Sequence, residues 1–166
     1  HITELPAITI TSNGITHVDC YGASTGGVSA SVGGGTSPYI LQWNPTNQSI
    51  PNINGLNAGT YTLSVIDANQ CQEVDTFEVT EPNALNVSIS DNNFTLTATS
   101  VTGGVSPYTY SWREISNPNV HIQAGSSYLV TQNGTYYVVV TDANGCVQNS
   151  NTVMFNETDV IDVPDH

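Results

Sequence analysis

The sequence predicts an all-β protein of two tandem antiparallel β-sandwiches, and three observations predict it. The first is composition. Of 166 residues only 9% are charged, 38% are hydrophobic and 8% aromatic, where about a quarter of a soluble globular chain is ordinarily charged. Thr, Ser, Asn and Gly fill the gap; they favour strands, turns and an uncharged polar surface and disfavour long helices. The second is periodicity: no stretch of helical length repeats its apolar residues at three- and four-residue spacing. The third is an internal duplication.

Gly34-Gly35-Thr36-Ser37-Pro38-Tyr39 recurs as Gly103-Gly104-Val105-Ser106-Pro107-Tyr108, and five residues after each Pro stands a Trp, Trp43 and Trp112. Gly59-Thr60-Tyr61 recurs as Gly134-Thr135-Tyr136, and Asp67-Ala68-Asn69-Gln70-Cys71 as Asp142-Ala143-Asn144-Gly145-Cys146. The first matches are offset by 69 residues and the later ones by 75, so copy two carries a six-residue insertion between its Trp and its Gly-Thr-Tyr. Four ordered matches with one insertion establish the duplication.

Each element follows from this frame. The Gly-Gly before each Pro-Tyr permits a tight turn into an aromatic strand. Period-two alternation places Tyr39, Leu41 and Trp43 on one strand face, and Tyr61, Leu63 and Val65 on a face of a later strand. Copy two repeats this with Tyr108, Tyr110 and Trp112, then Tyr136, Val138 and Val140. These are the inner faces of two packed sheets, with Thr and Ser turned to water. The alternation of each Trp with Tyr and Leu assigns it to a core rather than to an exposed sugar platform. Each Asp-Ala-Asn-x-Cys reads as the hairpin turn joining the last two strands, where Asp and Asn bond the backbone or adopt positive φ. Phe77–Thr80 ends copy one and Leu85–Ile89 opens copy two. Glu81-Pro82-Asn83 between them is a short, Pro-stiffened linker. The expected organisation is residues 1–82 as one sandwich, 83–156 as a second, and 157–166 as an acidic tail or linker. Short strands at this spacing suit sandwiches of the immunoglobulin-like type.

Charge excludes partners. Fourteen acids against Arg113 and no Lys give a net charge of −13. Nucleic acid and anionic membrane surfaces need Lys and Arg, so neither is an expected partner. No run of about twenty apolar residues is present to span a bilayer. His1 opens the chain without a charged-then-apolar leader, which reads as a mature chain or an excised piece.

Cys20-Tyr-Gly, the Gly-Gly-Thr-Ser-Pro-Tyr with Trp43, Leu56-Asn-Ala-Gly-Thr-Tyr61, Asp67-Ala-Asn-Gln-Cys71 and Glu81-Pro82 together resemble the SprB repeat. That module occurs in large surface adhesins of gliding Bacteroidota and in related type IX-secreted proteins. The resemblance covers roughly residues 5–82. Copy two, about 83–156, is similar to the PKD-like and immunoglobulin-like modules of the same proteins. The resemblance implies a repetitive stalk or adhesive unit at the cell surface, whose partners are neighbouring repeats or subunits, or surface polysaccharide. It also implies that Cys20 pairs with Cys71, a staple suited to a small exported domain. Copy two has no cysteine matching Cys20. Cys146 is then left over, as a free, partly buried thiol or as one half of an intermolecular bridge.

Asp67 and Asp142 open the repeated turns and keep two roles open: capping the turn, or offering hard oxygen ligands to Ca²⁺. No other cofactor is expected. His1, His17, His121 and His166 show no metal-ligand pairing. No Ser or Cys has a His and a carboxylate in recognisable order, and Gly33-Gly-Gly35 precedes a strand rather than the helix of a phosphate loop. The expectation is a non-catalytic extracellular segment. Two alternatives stand beside it: a carbohydrate-binding module pair of a secreted enzyme, and a filament subunit whose Ile8-Thr-Ile10 strand completes a neighbour's sheet.

Overall fold

The computed structural model describes residues 6–156, which contain strands and connections and no helix. The expected tail, residues 157–166, lies outside the described residues, as do His1 and His166. The chain divides into two compact units, His1–Pro82 and Asn83–His166.

The first unit has six strands: β1 (Thr9–Thr16), β2 (Gly26–Gly33), β3 (Ile40–Asn44), β4 (Asn52–Leu56), β5 (Gly59–Ile66) and β6 (Gln72–Val79). They form two antiparallel sheets, ordered β1-β2-β4 and β3-β5-β6. The alternation in β5 decides which face is inside. Tyr61, Leu63 and Val65 are buried while the residues between them are partly open. These side chains, Trp43 of β3 and Phe77 and Val79 of β6 meet Val28, Ala30 and Ile53 of the other sheet in one core. Tyr39 and Leu41 pack against its margin. Trp43 is wholly buried, its ring centroid 5.3 Å from that of Phe77, and its indole N–H donates to the Ile50 carbonyl at 2.8 Å. That bond removes the cost of burying a polar N–H in an apolar core.

β1 lies at a sheet edge, and a register shift between Ser12 and Gly14 marks a bulge, a device that bends an edge strand. Along one edge Thr9 to Thr16 pair with Gly33 to Gly27 of β2, and Ile8 is buried in the core. Withdrawing the strand from its own unit would open the sheet that holds Val28 and Ala30 inward.

The second unit repeats the plan with β7 (Asn86–Asn92), β8 (Thr95–Thr102), β9 (Thr109–Glu114), β10 (Ser127–Leu129), β11 (Gly134–Thr141), β12 (Val147–Asn149) and β13 (Val153–Phe155). One sheet runs β10-β8-β7; in the other, β9, β12 and β13 all pair with β11. β12 and β13 follow one another along the same side of β11 and together replace β6. Their interruption has a local cause. Ser150 Oγ accepts the Val138 N–H at 3.0 Å, and the Asn151 amide takes both polar backbone groups of Ile89 in β7. Ser150 thus meets β11 with its hydroxyl where a ladder carbonyl would stand, while Asn151 turns to the other sheet. The inserted residues lie between β9 and β10 and fold back on β9, where Trp112 exchanges backbone bonds with Ile122 and Gln123. Trp112, Val138 and Val140 are wholly buried, and Tyr136 and Tyr128 join them. Tyr108 and Tyr110 pack at the edge of this core. The Trp112 indole donates to Gly125 O at 2.9 Å.

Both units carry a tyrosine corner, the hallmark of immunoglobulin-like sandwiches. The Tyr61 hydroxyl donates to Asn57 O at 3.0 Å and the Tyr136 hydroxyl to Gln132 O at 2.9 Å, each four residues upstream. The protein is a tandem of two immunoglobulin-like domains.

Candidate functional site

Two of the repeated motifs, the Gly-Gly-x-Ser-Pro-Tyr loop and the Asp-Ala-Asn-x-Cys turn, meet at one end of each unit, where the chain enters it; this end is termed the leading pole and the opposite end the trailing pole. At the leading pole of the first unit the β5–β6 turn meets the β2–β3 connection. Asp67 begins the turn, and its side chain is buried. Its Oδ1 accepts the N–H groups of Asn69 and Cys71 at 2.9 and 2.8 Å, and its Oδ2 accepts that of Thr36 at 2.9 Å. Ala68 N–H donates to Thr36 O, and the Asn69 side-chain amide to Thr36 Oγ1. One carboxylate therefore ties two loops together. Asp142 does the same with Asn144, Cys146 and Val105, at 2.9, 2.8 and 2.8 Å.

Close approach explains the glycines beside it. Gly34 has φ +65° and a Cβ there would stand 1.9 Å from Ala7 O; Gly103, at φ +72°, would place one 2.0 Å from Ala84 O. No side chain fits either position, so the loop can lie flat on the strand entering the unit. The Tyr39 and Tyr108 hydroxyls donate to the carbonyls of these same two glycines. Positive φ within the turns falls on Gln70 and Gly145, the residue before each cysteine, and not on the Asp or Asn that the sequence suggested.

Burial by itself would raise the Asp67 carboxyl. The backbone donors of Cys71, Thr36 and Asn69 outweigh it and hold the group below the ordinary carboxylate value, and the Cys71 thiol adds a further hydrogen bond. Asp142 is lowered in the same way, burial being outweighed by the N–H groups of Val105, Cys146, Asn144 and Gly145. Of the two roles left open by sequence, the geometry gives these carboxylates the internal one: their oxygens are committed to backbone donors. Among the described residues no group of three or more His, Cys, Asp or Glu is placed to hold a metal ion. His17 and His121 are exposed and separate; His17 Nδ1 takes the Thr80 N–H, and His121 Nδ1 contacts Ser111 Oγ.

The cysteines depart from expectation. Cys71 is a free, exposed thiol, whereas Cys20 and Cys146 are disulfide cysteines. The expected Cys20–Cys71 bridge is not formed, and Cys146 is not a free thiol. The reason lies in where the two loops emerge. Cys20 belongs to the β1–β2 connection at the trailing pole, where Val18 N–H donates to Thr80 O and Gly22 N–H to Glu81 Oε2 at 2.6 Å. Cys71 sits at the leading pole. Eight-residue β2 runs between those poles, and at about 3.3 Å per residue it separates them by roughly 26 Å, against the ~4.4–6.8 Å between Cα atoms that a disulfide spans. In the second unit Cys146 occupies the same turn of the leading pole as Cys71 does in the first.

Two open depressions of about 270 Å³ lie on sheet faces. One, on β1-β2-β4, is lined by Asn13, Ser29, Asn52 and Asn54 with Ile15 at its side. The other gathers Ile115, Pro118 and Tyr137 against Asn149 and Ser150. Neither is lined by a carboxylate, an imidazole or a thiol. Among the described residues no helix is long and apolar enough to cross a membrane.

No protein-family model matches the chain, and no curated protein matches it by sequence. Among solved structures, distant similarities are found. The three N-terminal domains of the bacteriophage RB49 Highly Immunogenic Outer Capsid protein are 18% identical over 90% of this chain and 58% of that one, with a TM-score of 0.49. The N-terminal eight Ig domains of Down Syndrome Cell Adhesion Molecule are 12% identical over 90% of this chain and 24% of that one, with a TM-score of 0.42. SGBP-B of the Bacteroides ovatus mixed-linkage glucan utilization locus, in complex with a heptasaccharide, is 16% identical over 90% of this chain and 47% of that one, with a TM-score of 0.28. The chain thus spans between a quarter and three-fifths of each.

Proposed function

We propose that this chain is a non-catalytic structural and adhesive segment of an extracellular bacterial surface protein, with residues 1–82 of the SprB-repeat type and 83–156 a divergent immunoglobulin-like or PKD-like relative. One observation carries the reading: the residues the duplication preserves have architectural duties. The two Trp fill cores, Tyr61 and Tyr136 make corners, and Asp67 and Asp142 tie loops. Duplication has preserved what folds a module rather than a reactive constellation. Disulfide cysteines fit an oxidising, exported setting. Antibodies against the purified chain should label intact cells of the source organism, and external protease should strip the label. Labelling that requires lysis would refute the surface assignment.

A second reading is favoured by the depression on β1-β2-β4, where the amides of Asn13, Asn52 and Asn54 and the hydroxyl of Ser29 line one open face. Such neutral donors and acceptors suit the hydroxyls of an uncharged polysaccharide. Retardation in a polysaccharide gel that Asn54→Ala abolishes would support binding at that face; unchanged migration in a panel of neutral glycans would refute it.

A further inference from the structure

β1 uses one of its two edges. In an antiparallel ladder the N–H and C=O of a residue point to the same side, and successive residues alternate sides. Ala30 of β2 sends its N–H to Pro51 O, on the side of β4. By alternation Val28 and Val32 also turn their backbone groups toward β4 and away from β1. Across the ladder these three residues face Ser12, Ile15 and Ile10. The N–H and C=O groups of Ile10, Ser12 and Ile15 therefore point out of the sheet. The bulge makes this possible, because Asn13 is its extra residue. Without it Ile10 and Ile15 would turn their backbone groups to opposite sides.

The second unit shows what such an edge accepts. Ile89 of β7 stands across from Ala98, whose N–H goes to Ser126 O, just as Ser12 stands across from Ala30. Ile89 thus occupies the place of Ser12. Its N–H donates to Asn151 Oδ1 at 2.8 Å, and its C=O accepts from Asn151 Nδ2 at 3.2 Å. One side-chain amide takes both groups, as a residue of a neighbouring strand would. Asn151 comes from the break between β12 and β13. In the first unit β6 is unbroken, and among the described residues the outer edge of β1 carries no such cap.

We infer that the outer edge of β1 is a self-association surface, where a second copy of this chain adds its own β1 antiparallel across a twofold axis. Each β1 stays in its own sheet, and two such sheets become one. Two observations favour a second copy over a foreign strand. The first is charge. In a chain of net charge −13, β1, β2 and β4 contain no Asp, Glu, Lys, Arg or His, so two copies meet here without opposing acids. The edge strand β6 carries Glu73, Asp75 and Glu78 and would repel its own copy. The second is sequence symmetry. With the axis between Ser12 and Asn13, Thr9 faces Thr16 of the second copy and Ile10 faces Ile15. Ile10 and Ile15 are residues whose outward backbone groups can exchange bonds in both directions, and the twofold axis repeats the pair. Their side chains lie on the core side, opposite Val32 and Val28. Ile10 of one copy therefore covers Ile15 of the other, which is 36% exposed in the single chain.

The inference rests on the fold of the first unit, not on the surface assignment or on sugar binding. Its test uses the full chain with the exposed Cys71 thiol alkylated, so that no new disulfide joins copies. Sedimentation equilibrium over a concentration series should show monomer in exchange with dimer. Thr9 and Thr16 are exposed and lie opposite Gly33 and Gly27, so charges placed there spare the core. Thr9→Glu with Thr16→Glu, and separately Thr9→Lys with Thr16→Lys, set like charges opposite each other twice. Each variant should weaken the dimer by about tenfold. An equimolar mixture of the two pairs Lys with Glu and should recover at least the parent's dimer fraction. The same charges at exposed Ser88 and Ser90 of β7 should leave association within about twofold of the parent. Circular dichroism checks that every variant keeps its sheets. A chain that stays monomeric to its solubility limit overturns the proposal and leaves the edge to a foreign strand or to none. A dimer that neither β1 variant weakens, or a mixture no more dimeric than its parts, overturns it as well.

Discussion

Replacing Trp43 by alanine tests how much of the first unit rests on one side chain. Trp43 is 0% exposed, touches Phe77 and holds the Ile50 carbonyl through its indole N–H. Removing a buried Trp side chain costs about 3–5 kcal/mol, and the orphaned carbonyl adds about 1 kcal/mol. A domain of some 80 residues holds roughly 4–12 kcal/mol in all. Trp43→Ala should therefore take from about a third to all of the first unit's stability. The variant leaves Trp112 as the sole tryptophan, so its emission during urea unfolding reports the second unit alone. That midpoint should stay where the parent's Trp112 transition lies. Chymotrypsin should cut readily at Tyr39, Tyr61 and Phe77; trypsin is uninformative because the chain has one Arg and no Lys. A Trp112 transition that moved with the mutation would refute the independence of the two cores. A first unit that stayed resistant to protease, losing under about 1 kcal/mol, would refute the assignment of Trp43 to its centre.

Acidification should weaken both units through Asp67 and Asp142. Their folded carboxyls titrate below the ordinary value, so the stabilisation they give is complete above the unfolded carboxylate pKa and is lost as pH falls from there through the folded value. Asp67→Asn should lower the first unit's melting temperature at neutral pH and flatten its acid dependence; an unchanged pH profile would contradict the mechanism. Gly34→Ala, with its Cβ 1.9 Å from Ala7 O, should cost the first unit more than Gly55→Ala, where φ is +71° but nothing lies within 4 Å; the latter should cost about 1 kcal/mol, and equal losses in urea titration would count against the close approach. Tyr61→Phe and Tyr136→Phe should each cost about 1 kcal/mol by removing one corner hydrogen bond, and a change of less than about 0.3 kcal/mol would deny the corner its role.

The fold was legible in the sequence because its signals are local. Tyr61, Leu63 and Val65 alternate in sequence and are buried in space, and the linker at Pro82-Asn83 coincides with the division between units. The cysteines were not legible, since alternation says which face a residue takes but not which pole its loop leaves from. Cys20 and Cys71 flank copy one in sequence and stand at opposite ends of β2 in space. The Asp67 carboxylate was half legible. Its spacing to Cys71 announced a turn, but its bond to Thr36, thirty-one residues earlier, depends on a tertiary meeting of loops that no local pattern encodes. The corner had a partial signal in the recurring Gly-Thr-Tyr, which supplies both corner tyrosines, but their partners at Asn57 and Gln132 are backbone carbonyls that any residue would offer.

Hydrogen exchange resolved by residue measures the account's foundation most directly, because the slowest amides mark the cooperative centres of a fold. Two separate protected sets are expected, one around Trp43, Leu63 and Val65 and one around Trp112, Val138 and Val140. Protection that rose and fell as a single set under graded denaturant, or that was absent from either tryptophan strand, would contradict a protein made of two sandwiches that each fold round their own indole.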